Sequence, residues 1–370
     1  MESMVEQNLF NNIYKDKVVL VTGHTGFKGS WLVFWLLSLG AKVIGYSQEA
    51  PTKPNHIELL DFDMPSVTGD IRDKDKLNKT FKENKPDIVF HLAAQPLVRY
   101  SYDNPYETYE TNVLGTLNVF EACNKHNVKA IVNITSDKAY ENKEWDRGYK
   151  EDDPLGGYDP YSSSKGCADL LANSYRNSFF NTNKYKETHN TLLASCRAGN
   201  VIGGGDWAKD RLISDIMFAV AANKKVSIRN PEATRPWQHV LEPLSGYLLI
   251  GQKLLQEEVE FGDAWNFGPS DEHSITVHEV IINVKKHWDK IDYEINKDNK
   301  NPHEANLLKL DCSKANKVLN WREVWNTHST FEKTVNWYKS FYEEQKVLTE
   351  SHLKQYVQSA KSKGLSWTKN

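Results

Sequence analysis

Tyr161 and Lys165 stand four residues apart in the run Tyr158-Asp159-Pro160-Tyr161-Ser162-Ser163-Ser164-Lys165, a spacing that puts both side chains on one face of a helix. An ammonium beside a phenol favours the phenolate, so such a pair can move a proton near neutral pH. Upstream, Thr135-Ser136-Asp137-Lys138-Ala139-Tyr140 follows a β-branched run and places a hydroxyl, a carboxyl and an amine in succession. The C-terminal end of a strand is where open α/β sheets build their sites. The plain alternatives are a surface ion pair for Asp137 and Lys138 and a solvated helix face for Tyr161 and Lys165. Tyr158 is no rival, because its fourth neighbour is Ser162.

A second constellation precedes these. Val18-Val19-Leu20-Val21-Thr22 runs into Gly23-His24-Thr25-Gly26-Phe27-Lys28-Gly29 and then into an apolar-periodic segment. Glycines at this spacing allow a tight turn, let the backbone approach a pyrophosphate and let the helix pack close on the strand, while the helix N-terminus faces the negative charge. A bare βα turn is the alternative.

These residues need a scaffold that presents strand ends. Val18–Thr22, Ala41–Tyr46, Asp87–Leu92, Ala130–Thr135 and Thr191–Cys196 read as strands, and the segments 30–40, 74–84, 106–126 and 161–180 between them read as helices. Continuous apolar strands joined by helix-length connections predict a parallel sheet covered on both faces, the doubly wound α/β class. The expected organisation is a dinucleotide-binding unit over 1–200, a smaller α+β portion over 201–343 with some segments returning to the first sheet, and a polar tail over 344–370 that frays or packs as a peripheral helix.

Composition agrees with a soluble protein: 370 residues, 39% hydrophobic and 26% charged, supply a large core. A formal net charge of −3 gives no global attraction to nucleic acid or an anionic membrane, so neither is expected as a partner. The longest apolar run, Trp31 to Leu37, is far short of the roughly 20 residues a membrane span needs. No targeting segment is expected from the polar first sixteen residues. Cys123, Cys167, Cys196 and Cys312 form no CxxC pair, which argues against a disulfide scaffold and for a reducing cytoplasm. The 12 histidines show no metal-ligand spacing, so no metal is expected, and no GxSxG elbow supports covalent hydrolysis.

The GxxGxxG spacing and the order glycine loop, Ser136, Tyr161, Lys165 make the N-terminal 200 residues resemble the extended short-chain dehydrogenase/reductase superfamily, a Rossmann fold. The resemblance implies a serine, tyrosine and lysine triad and NAD as cofactor. It implies a loop of Gly23, Thr25, Gly26, Phe27, Lys28 and Gly29 on the dinucleotide, Asp70 and Ile71 at the adenine, and Leu92, Ala93, Ala94 and Gln95 along the cofactor, with Tyr161 and Lys165 reaching it too. One departure leaves NADP open: the second strand ends Gly45-Tyr46-Ser47 without the acid that grips the adenosine ribose in NAD users, so either Glu49 substitutes or the cofactor is held more loosely, and Lys28 would tolerate a 2′-phosphate.

Longer motifs narrow the likeness. GHTGFKGSWL from Gly23, AAQPLVR from Ala93, TSDKAY from Thr135, GGYDPYSSSKGCA from Gly156, RAGNVIGGGDWAKDRLI from Arg197 and RPWQHVLEPLSGY from Arg235 resemble the CDP-glucose 4,6-dehydratase family over about 15–340. An extra acid and base suit such chemistry: once C4 of a hexose is a ketone, the C5 proton is acidic, and an acid must protonate the departing C6 hydroxyl. The resemblance makes Asp137 that acid and Lys138 the candidate base. Lys138 needs a strongly lowered pKa for this; otherwise it stabilises the enolate while another group moves the proton.

For the CDP-sugar, Arg211, Arg229 and Arg235 are candidate diphosphate ligands, since guanidinium forks match phosphate oxygens. Asn200 and His303 are further candidates. Two other readings stay within the fold, a 4-epimerase or a CDP-heptose dehydratase, and a third is a dinucleotide-binding protein without catalysis. The helices at 106–126 and 161–180 form the subunit interface in resembling enzymes, which implies a homodimer or homotetramer.

Overall fold

The five apolar runs become the centre of a seven-stranded sheet. The structure is a computed structural model that describes residues 8–228, 231–269, 274–296 and 308–369. Arg229 and His303 lie outside the described residues.

The first half alternates strand and helix: β1 (Val18–Thr22), α1 (Phe27–Ser38), β2 (Lys42–Ser47), α2 (His56–Leu60), β3 (Ser66–Thr68), α3 (Lys74–Asn84) and β4 (Ile88–His91). It continues with α4 (Val98–Asp103), α5 (Pro105–Tyr109), a wide helical turn over Glu110–Gly115, α6 (Thr116–Lys125), β5 (Ala130–Ile134), α7 (Pro160–Ser178) and β6 (Leu192–Ala198). The second half contributes β7 (Asn200–Ile202), α8 (Leu212–Ala221), β8 (Val226–Ile228), β9 (Thr234–His239), α9 (Leu241–Leu255) and β10 (Ala264–Phe267). The remaining described elements are β11 (Ser274–Thr276), α10 (Val277–His287), β12 (Tyr293–Ile295), α11 (Thr327–Glu344) and α12 (Thr349–Ser362).

The strand order β3-β2-β1-β4-β5-β6-β10 is parallel throughout. The chain therefore reverses its direction of travel between β1 and β4, and a crevice opens there at the carboxyl ends of the strands. Two strands escape a reading of the sequence. β3 has three residues with little apolar content, and β10 is a four-residue stretch interrupted by Asn266; only pairing with β2 and β6 makes them strands.

β7, β9 and β11 form a second, three-stranded sheet beside the crevice, and β8 pairs with β12. α9 packs back on β5 and β6, so the two halves share one core. The polar segment after Glu344 does not fray: Leu353, Tyr356, Val357 and Ala360 recur on one face of α12 and are buried. Trp367 beyond it stacks on Phe10 at 5.1 Å and packs edge-on against Trp35. Most second-half tryptophans are such core side chains, with Trp265, Trp288, Trp321 and Trp337 fully buried.

Candidate active site

β1 ends at the glycine loop. Gly23 has φ +75°, and a Cβ there would stand 2.7 Å from the Ala93 nitrogen; a Cβ on Gly29 would run into the Gly23 carbonyl. Only glycine permits this approach of loop, helix and the β4 end. No side chain caps α1, so its first N–H groups are left for an anion. His24, within this loop, turns away: it is buried against Gly45 with Nε2 2.8 Å from Ser66 Oγ, and burial lowers its pKa to about 4.

Ser136 caps the short turn Asp137–Ala139 after β5, and its hydroxyl donates to Asp137 Oδ1 at 2.9 Å. α7 starts from Asp159, which accepts the Ser162 N–H at 2.9 Å, with Pro160 fitting the first helical position. Two further anchors aim this helix. Ser101 Oγ accepts the Tyr161 N–H at 3.1 Å, and Asn112 Nδ2 donates to Ser164 Oγ at 2.8 Å.

Every described candidate lines one cleft of about 1550 Å³. The glycine loop with Lys28, Asp70 with Ile71, and Leu92 through Gln95 form one arm, which Ser47, Gln48 and Glu49 extend. Ser136, Asp137, Lys138, Tyr161 and Lys165 stand at its centre, and Asn200, Arg211 and Arg235 form the other arm. Gln95 uses its side chain locally, donating to Thr108 Oγ1 at 2.9 Å and accepting the Leu97 N–H. Arg211 donates to Asp206 Oδ2 at 2.6 Å, and Arg235 donates to the Thr234 carbonyl at 2.8 Å. Trp207 and Trp237 both line the cleft; Trp207 donates to Tyr342 and packs among Trp337, Tyr338 and Phe341.

Burial dominates the electrostatics. It raises the Asp137 pKa against the pull of Lys138, Ser136 and Lys28, so the carboxyl keeps its proton to higher pH than a free aspartate. It pushes the Tyr161 phenol up to about 12, with the Ser136 hydroxyl and Arg211 pulling down and Asp137 pushing further up. It brings Lys165 down to about 8, opposed by Asp169. Arg211, just before α8, is a further cation that pulls on Tyr161, one that the spacing argument did not supply. Lys28 also differs from expectation. Its charged neighbours are Lys165, Arg211 and Asp137, at the cleft's centre, and burial with the two like charges lowers it to about 8.

Reading the sequence missed the supports beneath this surface. Asn112, buried on the wide turn before α6, ties Gln95 to α7. Asp206 holds Arg211, and Arg99 at the start of α4 pairs with Asp210 before α8 at 3.6 Å. Arg197 and Asp169 form an ion pair behind the site. An arginine inside a strand and an acid four residues after Lys165 were the available signals. Among the described residues no group of three potential metal ligands occurs.

A parallel sheet with a glycine-cradled crevice lined by Ser136, Tyr161 and Lys165 is the architecture of an extended short-chain dehydrogenase/reductase. The family model described as GDP-mannose 4,6 dehydratase matches residues 20–334, and the chain belongs to that family. It is 54% identical over 334 residues to the CDP-glucose 4,6-dehydratase of Salmonella typhimurium, covering 89% of this chain and 92% of that one. Among solved structures, the Thermus thermophilus UDP-glucose 4-epimerase in complex with NAD matches with TM-score 0.75 at 24% identity, over 87% of this chain and 99% of that one. The dTDP-glucose 4,6-dehydratase of Bacillus anthracis, also in complex with NAD, matches at 0.72 and 23%, over 89% and 98%. At these identities the structural likeness is one of fold.

Proposed function

We propose that this chain is an NAD-dependent CDP-glucose 4,6-dehydratase, a hydro-lyase that makes CDP-4-keto-6-deoxyglucose and water. Asp137 carries the reading. An epimerase needs the Ser136, Tyr161 and Lys165 group but has no use for a buried carboxyl with a raised pKa beside it. The CDP-sugar comes from the 54% identical relative.

The glycine arm fits the dinucleotide, since Gly23 and Gly29 leave room that a Cβ would fill. Bound there, NAD would supply the reversible hydride acceptor that oxidation at C4 and reduction at C6 require. Tyr161 takes the C4 hydroxyl proton, with Ser136 orienting the oxygen and Lys165 and Arg211 supplying positive charge. Asp137 then gives its proton to the departing C6 hydroxyl, and Lys138 faces the C5 side, where a proton leaves and later returns. Arg211, Arg235 and Asn200 hold the diphosphate and sugar. NAD is favoured over NADP because Lys28 has its charged neighbours at the cleft's centre, while Glu49 lines the arm that would hold the adenosine ribose.

Mixing the protein with CDP-glucose and NAD should give the alkali-induced absorbance of a 4-keto sugar without net cofactor reduction. Silence under these conditions overturns the proposal, and activity confined to a CDP-heptose redirects it to the longer sugar. Turnover that survives Asp137→Asn together with Lys138→Ala identifies an epimerase instead.

We read the enzyme as a cytoplasmic homodimer, with a tetramer built from dimers as the larger form. Tyr106, Leu114 and Leu170, at 78%, 52% and 53% exposure, leave apolar surface on the two helical segments of the expected interface. Among the described residues, no helix is long and apolar enough to cross a membrane, and all four cysteines are free thiols.

A further inference from the structure

Behind the cleft, Asp169 and Arg197 make a two-pronged ion pair, Nε to Oδ2 at 3.1 Å and one terminal nitrogen to Oδ1 at 3.2 Å. Both side chains are buried, at 0% and 3% exposure. Replacing a buried ion pair by well-packed apolar residues is often neutral or stabilising, so stability alone is a poor reason for these charges. Their partners suggest another. Asp169 follows Lys165 by four residues on α7 and therefore shares its face. Asp169 Oδ2 accepts the Thr135 hydroxyl at 2.7 Å, just before Ser136. Arg197 donates to the Tyr140 hydroxyl at 2.7 Å and lies 4.8 Å from that ring's centre, just after the turn Asp137–Ala139. Tyr140 donates onward to Asn266 Oδ1 at 2.7 Å.

We propose that Asp169, paired with Arg197, is a positioning residue for the reaction: it sets a fixed negative charge beside Lys165, and the pair clamps both ends of the turn that carries Ser136, Asp137 and Lys138. The inference rests on the proposed role of Lys165. The charged and titratable groups around Lys165 are Lys28 from α1, His91 from β4, and Tyr161 and Asp169 from its own helix. Lys28 repels it, and His91, lowered to about 3 by burial, is neutral and brings no charge. Asp169 is the group that pulls the Lys165 pKa up against burial.

The test is the pH profile of kcat/KM with CDP-glucose and NAD. Loss of the Lys165 proton ends activity on the basic side. Asp169→Asn should move that limb toward acid by about one pH unit, with kcat falling and KM changing less than about twofold. Asp169→Glu should recover most of the shift. Thr135→Val removes one hydrogen bond that fixes the carboxylate and leaves the ion pair, so it should displace the limb by less than Asp169→Asn does. A lower melting temperature in Asp169→Asn with the limb in place overturns the inference. Should Asp169→Asn fail to fold, an unmoved limb in Thr135→Val overturns it instead. Lys165→Met separates the two levels: if it stays active, the reading of the site fails, whereas an inactive Lys165→Met beside an unshifted Asp169→Asn defeats the inference alone.

Discussion

Asp137 has the clearest consequence at the scale of single residues. Burial disfavours its carboxylate and raises its pKa above the usual 3.8, so it keeps its proton to higher pH than a free aspartate does. In the proposed dehydration the protonated form expels the C6 hydroxyl, so kcat should fall as pH rises through that raised value. Asp137→Asn keeps the shape and removes the acid. Dehydration should drop by about 10²–10⁴-fold, while the C4 oxidation survives as a near-ultraviolet absorbance that builds on mixing enzyme with substrate. An Asn variant with normal turnover would remove Asp137 from the reaction. Tyr161→Phe should abolish both steps, because the C4 hydroxyl proton then has no acceptor. Much of this cluster was legible in the chain, since Tyr161 and Lys165 share a helix face by spacing and Ser136-Asp137-Lys138 are contiguous. The order of influences was not legible, because burial and Arg211 belong to other elements.

At the scale of elements, the glycine loop and α9 lead to two measurements. Gly23→Ala would force a Cβ against the start of Ala93 at a φ that side chains rarely adopt. It should lower the melting temperature and weaken NAD binding together, as read by calorimetry without substrate; unchanged binding would remove the cradle from the cofactor site. Glu242, fully buried in the first turn of α9, accepts the N–H groups of Val324 at 2.9 Å and Trp325 at 2.8 Å and the Tyr356 hydroxyl at 2.8 Å. Burial raises its pKa from 4.5 to about 8. Between these values the folded chain holds a proton that the unfolded chain has released. Stability should therefore fall as pH rises through this window, by at most about 1.4 kcal/mol per pH unit, and level off above it. Glu242→Gln should lose that slope in denaturant titrations at several pH values; a slope that persists assigns it to other groups. The sequence marks Glu242 as one acid in a helical run, and its role depends on a loop and a helix more than 80 residues further along.

For the whole molecule, the apolar surface of α5, the wide turn and α7 bears on assembly. Leu114→Asp with Leu170→Asp should convert a dimer to a monomer in a solution mass measurement, since charges resist burial in a subunit interface. A mass unaffected by both changes would put the interface elsewhere. The shared core is the second whole-molecule feature: α9 packs on the sheet, and Trp367 near the C-terminus stacks on Phe10 near the N-terminus. Trp367→Ala should cost about 3–5 kcal/mol of stability while leaving KM for CDP-glucose unchanged, because it lies outside the cleft.

The sequence by itself determined the class of sheet, the glycine cradle and the makeup of the central cluster. Each is a local matter: runs of β-branched residues, a turn that only glycine makes, and residues within one helical turn or one strand end of each other. Only the tertiary structure decided that β3 and β10 are strands, that Lys28 keeps company with Asp137, and that Asp169 and Arg197 stand behind both the turn Asp137–Ala139 and Lys165. Those facts depend on contacts between distant parts of the chain, where pairing and burial set structure and charge, and neither composition nor spacing carries that information.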